Sequence, residues 1–440
     1  MIKKIVLLGA GRSSSYLIKY LYNHRVKLNI SLNIISDIQP KFLKHYDDIN
    51  FYILDIKNNK KIKPIINNSF LLICLLPPNY HFQIAKICSE LGINMITASY
   101  LNDKIKSLEK SFIKNKSFLF MEMGLDPGID HMSAIKIINK LKKDSKILEF
   151  ESYTGGLIKD RYENNPWGYK FTWNPLNVVL AGVDDAKYLE DGKLKIIPYR
   201  NLFKDHKEIN IDNKKYEGYP NRDSIRYKNL YGLKNIKTLK RGTLRKKGFC
   251  NTWDLLVNIG LTDNKNELKN LNKMTFLDFF NLNIKAKSLD NLNLILEKKF
   301  KIKTTSEEYK NLKWSGFFSD KKLNLEKGKP SDFLLEILND KWRLKFTDID
   351  LIIMVHSFIF KKNNTIKKLT SFLEVEGDDN INTAMSKTVG MPIALLIEHI
   401  ITNNYKKPGI HLPFDEEIYG PLLKKMEELG IVFKETETSI

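Results

Sequence analysis

The sequence predicts an α/β fold, in which buried parallel strands alternate with helices. Three observations predict it. Short runs rich in Ile, Val and Leu recur along the first quarter of the chain, as buried parallel strands require. Segments with helical apolar spacing separate these runs. A glycine turn, Gly9-Ala10-Gly11, directly follows the first run.

The apolar pattern places the expected elements of this first part in order. Strands are predicted at residues 2–8, Leu28–Ile35, Phe70–Leu76 and Asn94–Ala98, and helices at Tyr16–Leu21, Tyr80–Leu91 and Asn102–Asn115. Because the carboxyl ends of parallel strands meet at one edge of a sheet, we expect a ligand at that edge.

The glycine turn indicates what this ligand is. A strand, a glycine turn and a helix start together offer pyrophosphate a close backbone approach and unpaired N–H groups. Ser14 stands where the complete motif has a third glycine, so an ordinary strand–helix turn stays open. The turn predicts a Rossmann-like dinucleotide-binding domain.

Asp37 bears on the identity of the dinucleotide. It follows the second strand, where a carboxylate takes the ribose hydroxyls; a helix cap or an exposed turn is the alternative. Since a carboxylate repels a 2′-phosphate, we expect NAD rather than NADP, with Lys41 as the nearby cation that would oppose this.

Residues 122–131 form the next distinct pattern, with a Pro-Gly turn before a predicted helix, Met132–Leu141. Asp130 is expected to cap that helix. Asp130 and His131 together suit a metal or acid–base pair, or simply a tight turn with a helix cap, and both interpretations stay open. The chain offers neither a disulfide framework nor zinc spacing, because its three cysteines lie far apart and its eight histidines form no close pair.

The remainder predicts a second α/β domain. Strands are expected at Ile147–Tyr153 and Lys367–Glu376, apolar helical stretches at Trp253–Ile259 and Phe276–Phe280, and helices at Ser331–Leu338, Thr383–Ile401 (interrupted by Gly390 and Pro392) and Asp415–Leu429. We therefore expect a dinucleotide domain over residues 1–130, completed by 390–440. A substrate domain is expected over 131–390, with a helical insert at 252–329.

The charge of the chain is unevenly informative. Its 440 residues carry a net charge of +21, but only nine of the 72 basic residues are arginine. Four of these lie within residues 222–245: Arg222, Arg226, Arg241 and Arg245. Arginine suits bidentate carboxylate binding, so the cluster predicts an anionic substrate; ion pairs with Asp223 or Glu217 are the alternative, chiefly for Arg226 and Arg245.

Several blocks of the sequence resemble the saccharopine dehydrogenase (saccharopine reductase) family, glutamate-forming type. They are residues 97–100 (Thr-Ala-Ser-Tyr), 124–131 (Gly-Leu-Asp-Pro-Gly-Ile-Asp-His), 152–156, 165–173, 219–224, 241–245 and 384–392. These blocks run in the family's order over nearly the whole chain.

The resemblance implies roles for particular residues. The dinucleotide, NAD or NADP, would lie on Gly9, Gly11, Arg12, Ser13, Ser14, Asp37, Asp55, Ile56, Leu76, Pro77, Thr97, Ala98, Leu125, Gly128 and Trp173. Saccharopine would contact Ser99, Tyr100, Asp126, Arg222, Arg241, Gly242 and Thr243. Asp126 is the candidate for proton transfer, and no metal is implied.

The sequence departs from the family's pattern after Gly156, where Leu157–Glu163 intervenes, at Thr154, and after Trp173. A dehydrogenase of another imine (lysine 6-dehydrogenase or carboxynorspermidine synthase type) is therefore the first alternative. A non-enzymatic Rossmann-like binding protein is the second. The expected partner is a small anionic amino acid, with a homodimer left open. The apolar runs are too short to span a bilayer, so we expect a cytoplasmic location with neither membrane nor nucleic acid as partner.

Overall fold

A computed structural model describes residues 2–56, 59–159, 165–181, 184–211 and 213–440. The strands are β1 (Lys3–Leu8), β2 (Ile30–Ser36), β3 (Asn50–Ile53), β4 (Leu71–Cys74), β5 (Asn94–Thr97), β6 (Phe118–Phe120), β7 (Lys146–Ile158), β8 (Ala186–Glu190), β9 (Lys193–Ile197), β10 (Lys207–Ile211), β11 (Lys214–Pro220), β12 (Thr238–Lys246), β13 (Leu268–Lys269), β14 (Lys327–Gly328), β15 (Asp350–Lys362), β16 (Thr365–Glu376), β17 (Gly409–His411) and β18 (Phe433–Ser439).

The helices are α1 (Ser15–Leu28), α2 (Asn59–Ile66), α3 (Pro78–Leu91), α4 (Asp103–Lys106), α5 (Glu109–Lys114), α6 (Ile129–Leu141), α7 (Pro175–Val179), α8 (Arg226–Leu230), α9 (Phe249–Asn258), α10 (Phe276–Asn281), α11 (Leu289–Phe300), α12 (Glu307–Ser315), α13 (Pro330–Trp342), α14 (Ala384–Thr402) and α15 (Glu416–Glu428). The prediction of one helix over residues 102–115 is wrong, because α4 ends at Lys106 and α5 begins only at Glu109.

The chain divides into two compact units. The first comprises residues 1–143 and 373–434, and the second comprises 144–372 and 435–440. These boundaries differ from the expected 130 and 390. Helix α6 belongs wholly to the first unit, where the Asn139 side-chain amide donates to the Tyr419 hydroxyl of α15 at 3.1 Å.

A seven-stranded parallel sheet forms the centre of the first unit. Its order is β3-β2-β1-β4-β5-β6-β17, in which the first six strands follow the arrangement of dinucleotide-binding domains. Strand β1 is apolar on both faces from Ile5 to Leu8, and all four of these residues are fully buried. The α/β prediction for this part is confirmed.

Helix α14 belongs to this unit and packs against α1. Its predicted interruption at Gly390 and Pro392 is wrong. The helix is continuous from Ala384 to Thr402, with Pro392 inside it. A Cβ added at Gly390 would meet the backbone nitrogen of Leu17 at 2.8 Å, so glycine at this position lets the two helices approach closely. Among the described helices, α14 alone is long and apolar enough to cross a membrane, and 67% of that stretch is buried inside the fold.

The second unit is built on a mixed sheet. The main path is β10-β11-β12-β7-β15-β16-β18, and the hairpin of β8 and β9 joins it at β12. Its core is aromatic: Trp167 and Trp253 both pack on Trp342, with ring centroids 5.1 Å and 5.8 Å away.

Two buried carboxylates anchor segments of this unit. Glu217 accepts hydrogen bonds from the backbone N–H groups of Gly248 and Cys250, at 2.6 Å and 2.8 Å, where α9 begins. Asp348 lies 2.5 Å from the Lys170 ammonium, and both side chains are almost completely enclosed. Glu217 therefore fixes the start of α9. The segment expected as a helical insert, residues 252–329, contains the rest of α9, helices α10 to α12 and the short strands β13 and β14.

Candidate functional site

The carboxyl ends of the strands in the first unit bring five loops to one edge. The loops follow β1, β2, β4, β5 and β6 and begin at Gly9, Asp37, Leu75, Ala98 and Met121. Backbone hydrogen bonds join them: Gly9 N–H donates to Ile35 O at 2.9 Å, and Met123 N–H donates to Thr97 O at 3.1 Å. These loops lie along one edge of the sheet and contain most of the sequence-predicted residues of this unit.

The glycine turn combines close packing with an open approach. Gly9 has φ +93°, and a Cβ there would lie 3.2 Å from the carbonyl of Leu75. At Gly11 an added Cβ would have no atom within 4 Å. Ser14 is buried, and its hydroxyl donates to Gly11 O at 2.7 Å, which holds the turn at the start of α1. Gly11 thus presents exposed backbone beside a helix N-terminus, as a bound pyrophosphate requires.

Asp37 is exposed just beyond β2. Ser36 Oγ donates to its Oδ1 at 3.2 Å, while the next helical turn begins at Lys41 behind Pro40. Asp37 therefore does not cap a helix. Ala10 N–H donates to Ser36 Oγ at 3.4 Å, so the glycine turn with the exposed Arg12 lies at the same corner of the sheet as Asp37. The sequence alone predicts Lys41 as the cation near Asp37, because Arg12 is distant from Asp37 along the chain.

Asp55 and Ile56 follow the edge strand β3; Asp55 is exposed and Ile56 packs partly into the core. Leu76 and Pro77 lie between β4 and α3, with Leu76 half-buried and Pro77 exposed. The buried His81 of α3 reaches back to Leu76 O at 2.7 Å. His81 was not predictable from the sequence, since its partners lie on other elements.

Tyr100 and Asp126 meet at the same edge. The Tyr100 hydroxyl donates to Asp126 Oδ1 at 2.6 Å, and both side chains are half-buried. Asp126 precedes Pro127 in a cis peptide bond. Gly128, at φ +149°, closes the turn so tightly that an added Cβ would lie 2.0 Å from Gly124 O. The loop therefore holds Asp126 on a backbone that only glycine at position 128 permits.

Behind this loop lie three buried ionisable side chains. His131 Nε2 is 2.8 Å from Glu122 Oε2, and His131 Nδ1 is 3.5 Å from Asp130 Oδ2. Contrary to the prediction, Asp130 is not the N-cap residue of α6. It lies in the first turn, where its Oδ1 accepts from the N–H of Gly128, the N-cap residue, at 2.6 Å. These contacts favour the interpretation of a tight turn. Within the part of the chain that the structure describes, no group of His, Cys, Asp or Glu residues has the arrangement of a metal site.

Two of the four clustered arginines, Arg241 and Arg245, lie on strand β12. The Arg241 side chain is only 6% exposed, and its guanidinium carbon lies 4.4 Å from the centroid of the Tyr227 ring. Its backbone N–H donates to Ser224 Oγ at 3.0 Å, and its carbonyl accepts from Asn221 N–H at 2.9 Å. The turn with the exposed Arg222 is therefore tied to Arg241, and the two arginines lie in one region.

The other members of this group differ in environment. Gly242 is a packing position, since a Cβ there would lie 2.4 Å from the Tyr153 ring. Thr243 and Trp173 are half-buried, whereas Arg226 is exposed on α8. Arg245 is 5% exposed and lies among aromatic rings of the core, 4.9 Å from Tyr169 and 5.0 Å from Phe249. Arg245 therefore packs within the aromatic core of the second unit. The altered loop after Gly156 lies in part outside the described residues.

Two family models match the chain. The saccharopine dehydrogenase NADP binding domain matches residues 5–119, and the saccharopine dehydrogenase C-terminal domain matches residues 124–431. The family resemblance is confirmed. The expectation of NAD is not confirmed, because the first model names NADP.

Curated relatives cover the whole chain. The saccharopine dehydrogenase [NADP(+), L-glutamate-forming] of Schizosaccharomyces pombe is 32% identical over 98% of this chain and 98% of its own length. The mitochondrial alpha-aminoadipic semialdehyde synthase of Rattus norvegicus is 31% identical over 99% of this chain but 48% of its own length. The chain thus spans about half the length of the synthases that it matches and nearly all of the fungal enzyme.

Solved structures agree with this fold. The apo saccharopine dehydrogenase (L-Glu forming) of Saccharomyces cerevisiae superposes with a TM-score of 0.87 at 27% identity, over 99% of this chain and 100% of that one. A homospermidine synthase of Legionella pneumophila, in complex with NAD, has a TM-score of 0.56 at 11% identity over 100% of this chain and 92% of its own, which shows a shared fold alone.

Proposed function

We propose, from the premise that the chain belongs to the saccharopine dehydrogenase family, that it is an oxidoreductase acting on a CH–NH group. Its reaction is reversible hydride transfer between NADP and the secondary amine of saccharopine, which interconverts saccharopine with L-glutamate and 2-aminoadipate 6-semialdehyde in lysine metabolism. The observation that carries this proposal is full-length similarity to a fungal enzyme named for that reaction.

The dinucleotide, when bound, supplies the hydride-accepting ring. The chain's own residues would bind and orient it. The exposed backbone of Gly11 and the N-terminus of α1 suit its pyrophosphate. The loops at Leu76 and Thr97 lie along the same edge, with Thr97 buried and Leu76 and Ala98 partly accessible.

We propose NADP rather than NAD, since NADP is named for the fungal relatives. Asp37 opposes a 2′-phosphate, but Arg12 lies at the same corner and Lys41 begins the next helical turn. A guanidinium so placed favours the phosphate and offsets the carboxylate.

The anionic substrate explains why arginine appears in two specific places. Arg222 and Arg241 are the proposed partners of saccharopine carboxylates, with Arg241 held rigid by its strand and the Tyr227 ring. Asp126 is the proposed proton carrier, oriented by the Tyr100 hydroxyl. In the oxidative direction, the lysine-side carbon next to the nitrogen gives up a hydride to the dinucleotide and the nitrogen gives up a proton, which leaves an imine. Water adds to the imine carbon, and the C–N bond then breaks to release L-glutamate and 2-aminoadipate 6-semialdehyde.

The test is to mix the purified chain with saccharopine and either NADP or NAD, and to follow the absorbance of the reduced nicotinamide. Reduction that requires saccharopine supports the proposal. Reduction with lysine or a carboxylated polyamine instead would favour the alternative imine dehydrogenases. Nucleotide binding without turnover of any of these substrates would favour the binding-protein alternative. A cytoplasmic location and a homodimer remain predictions, to be checked by cell fractionation and sedimentation.

A further inference from the structure

His81 is a buried histidine that the proposed reaction does not use. It lies in the first turn of α3, only 2% exposed, within the unit that carries the glycine turn. Its ring contacts Leu76, in the loop after β4, and Thr97, the last residue of β5. Each ring nitrogen therefore contacts a different part of the sheet edge at which the parallel strands end.

The hydrogen-bond partners fix the form of the ring. Leu76 O lies 2.7 Å from Nε2, and a carbonyl oxygen only accepts, so Nε2 carries the proton. Thr97 Oγ1 lies 3.3 Å from Nδ1. Burial lowers the pKa of His81 and favours the neutral ring, in which Nδ1 accepts from the Thr97 hydroxyl.

Further contacts extend from both Thr97 and Leu76. Thr97 Oγ1 accepts from Ser99 N–H at 3.2 Å, and Ser99 O accepts from Glu122 N–H at 3.0 Å. On the other side, a Cβ at Gly9 would meet Leu76 Cδ2 at 3.3 Å, so the Leu76 loop packs directly on the glycine turn. Contacts through His81 therefore connect the glycine turn with the loop that holds Asp126.

We propose that His81 is a positioning residue that sets the separation of the loop at Leu76 and the loop that follows Thr97 through its neutral imidazole. It touches neither nucleotide nor substrate and acts through these two loops. The inference rests on the proposed function, because those loops matter for catalysis only if they receive the dinucleotide. Two hydrogen bonds in different directions place the loops more tightly than apolar packing of the same ring would.

The experiment measures the NADPH dissociation constant by fluorescence titration, together with kcat and KM for saccharopine oxidation. His81→Phe keeps the ring volume and removes both bonds, and we expect NADPH binding to weaken about tenfold. His81→Gln retains a donor near the Nε2 position, and we expect a loss of about threefold. In both variants we expect kcat at saturating NADP to fall less than the nucleotide affinity.

Ser89→Ala is the matched control. Ser89 is also buried on α3, and its hydroxyl donates to Lys86 O at 2.8 Å within the helix. The substitution removes one buried hydrogen bond from the same helix and leaves the contacts of His81 with Leu76 and Thr97 in place. We expect the NADPH dissociation constant to stay within about twofold of the unchanged chain.

A double-substitution cycle separates positioning from general destabilisation. Thr97→Val removes the hydroxyl that faces Nδ1, and its effect combined with His81→Gln should be clearly smaller than the sum of the two. Additive effects, an unchanged NADPH affinity in His81→Gln and His81→Phe, or equal weakening by Ser89→Ala would each overturn the inference. If His81→Phe does not fold, His81→Gln and the cycle decide.

The same titration distinguishes this inference from the proposed function. An unchanged chain that binds NADPH but does not oxidise saccharopine, with binding weakened in the His81 variants, would support the inference and overturn the proposed substrate. An unchanged chain that binds neither NADPH nor NADH would overturn both.

Discussion

The strand-end loops of the first unit offer mainly backbone to a ligand, whereas strand β12 of the second unit offers the guanidinium of Arg241. In the loops, Gly11 and Gly128 determine how closely a ligand or a neighbouring chain segment approaches. On β12, Arg241 holds its charge against an aromatic ring. Substitutions should therefore act through geometry in the first region and through charge in the second.

The largest expected effect tests the geometric side. Gly128→Ala should lower the free energy of unfolding by about 4 kcal/mol or more, because the new Cβ meets Gly124 O on a backbone that disfavours side chains. Urea unfolding measures it. Gly11→Ala is the control, since its Cβ enters open space. It should change stability by less than about 0.5 kcal/mol while weakening nucleotide binding. Equal stability losses in the two variants would contradict the comparison.

The next effect concerns the side chain that the loops present. Asp126→Asn should lower kcat about 100-fold, because the amide cannot carry the proton. The NADPH dissociation constant should remain within about twofold. Steady-state kinetics across pH and a binding titration measure the two. Full turnover at every pH would remove the proton role of Asp126.

On β12 the expected effect depends on charge and shape. Arg241→Ala should lower kcat/KM for saccharopine about 30-fold, and Arg241→Lys about tenfold, because the ammonium lacks the bidentate fork. Arg226→Ala is the control, since Arg226 is exposed on α8 and should change kcat/KM less than about twofold. Similar losses at the two positions would mean that net charge, rather than a placed guanidinium, binds the substrate.

The smallest expected effect concerns two charged side chains beside the glycine turn, which binds its ligand through the backbone. Asp37→Ala should raise the preference for NADPH over NADH about fivefold, and Arg12→Ala should lower it by a similar factor. Asp47→Ala, an exposed carboxylate further along the chain, should leave the ratio unchanged. Titration with both nucleotides measures it. A ratio that ignores both Asp37 and Arg12 would place the 2′-phosphate elsewhere.

Much of the first unit was predictable because its strands are continuous apolar runs. Strands β1, β2, β4 and β5 all fall within or beside the predicted segments. The break between α4 and α5 was not, because Ser107 and Leu108 include no glycine or proline to mark it. At Pro392 the sequence predicts an interruption that the helix does not have. Packing of α14 against α1 outweighs the local cost of a proline inside the helix.

The candidate site was predictable where a residue type alone suggested its chemistry. The glycines, Asp126 and Arg241 stand out by type and spacing. The environments of His81 and Arg12 depend on residues brought near by strand pairing, and no local pattern contains that information. For Arg245 the sequence favours an ion pair with Asp223 or Glu217, and its place among core rings was not predictable, because the ring of Phe249 beside it belongs to a helix that follows the strand.

The division of the first unit into residues 1–143 and 373–434 sets an order for folding during synthesis. Strand β17 and helix α14, which complete its sheet and cover α1, leave the ribosome only after the whole of residues 144–372. Domains usually fold as they emerge, starting from the N-terminus. The sheet of the first unit therefore gains its last strand, and α1 gains its cover, only after strand β12 has been made.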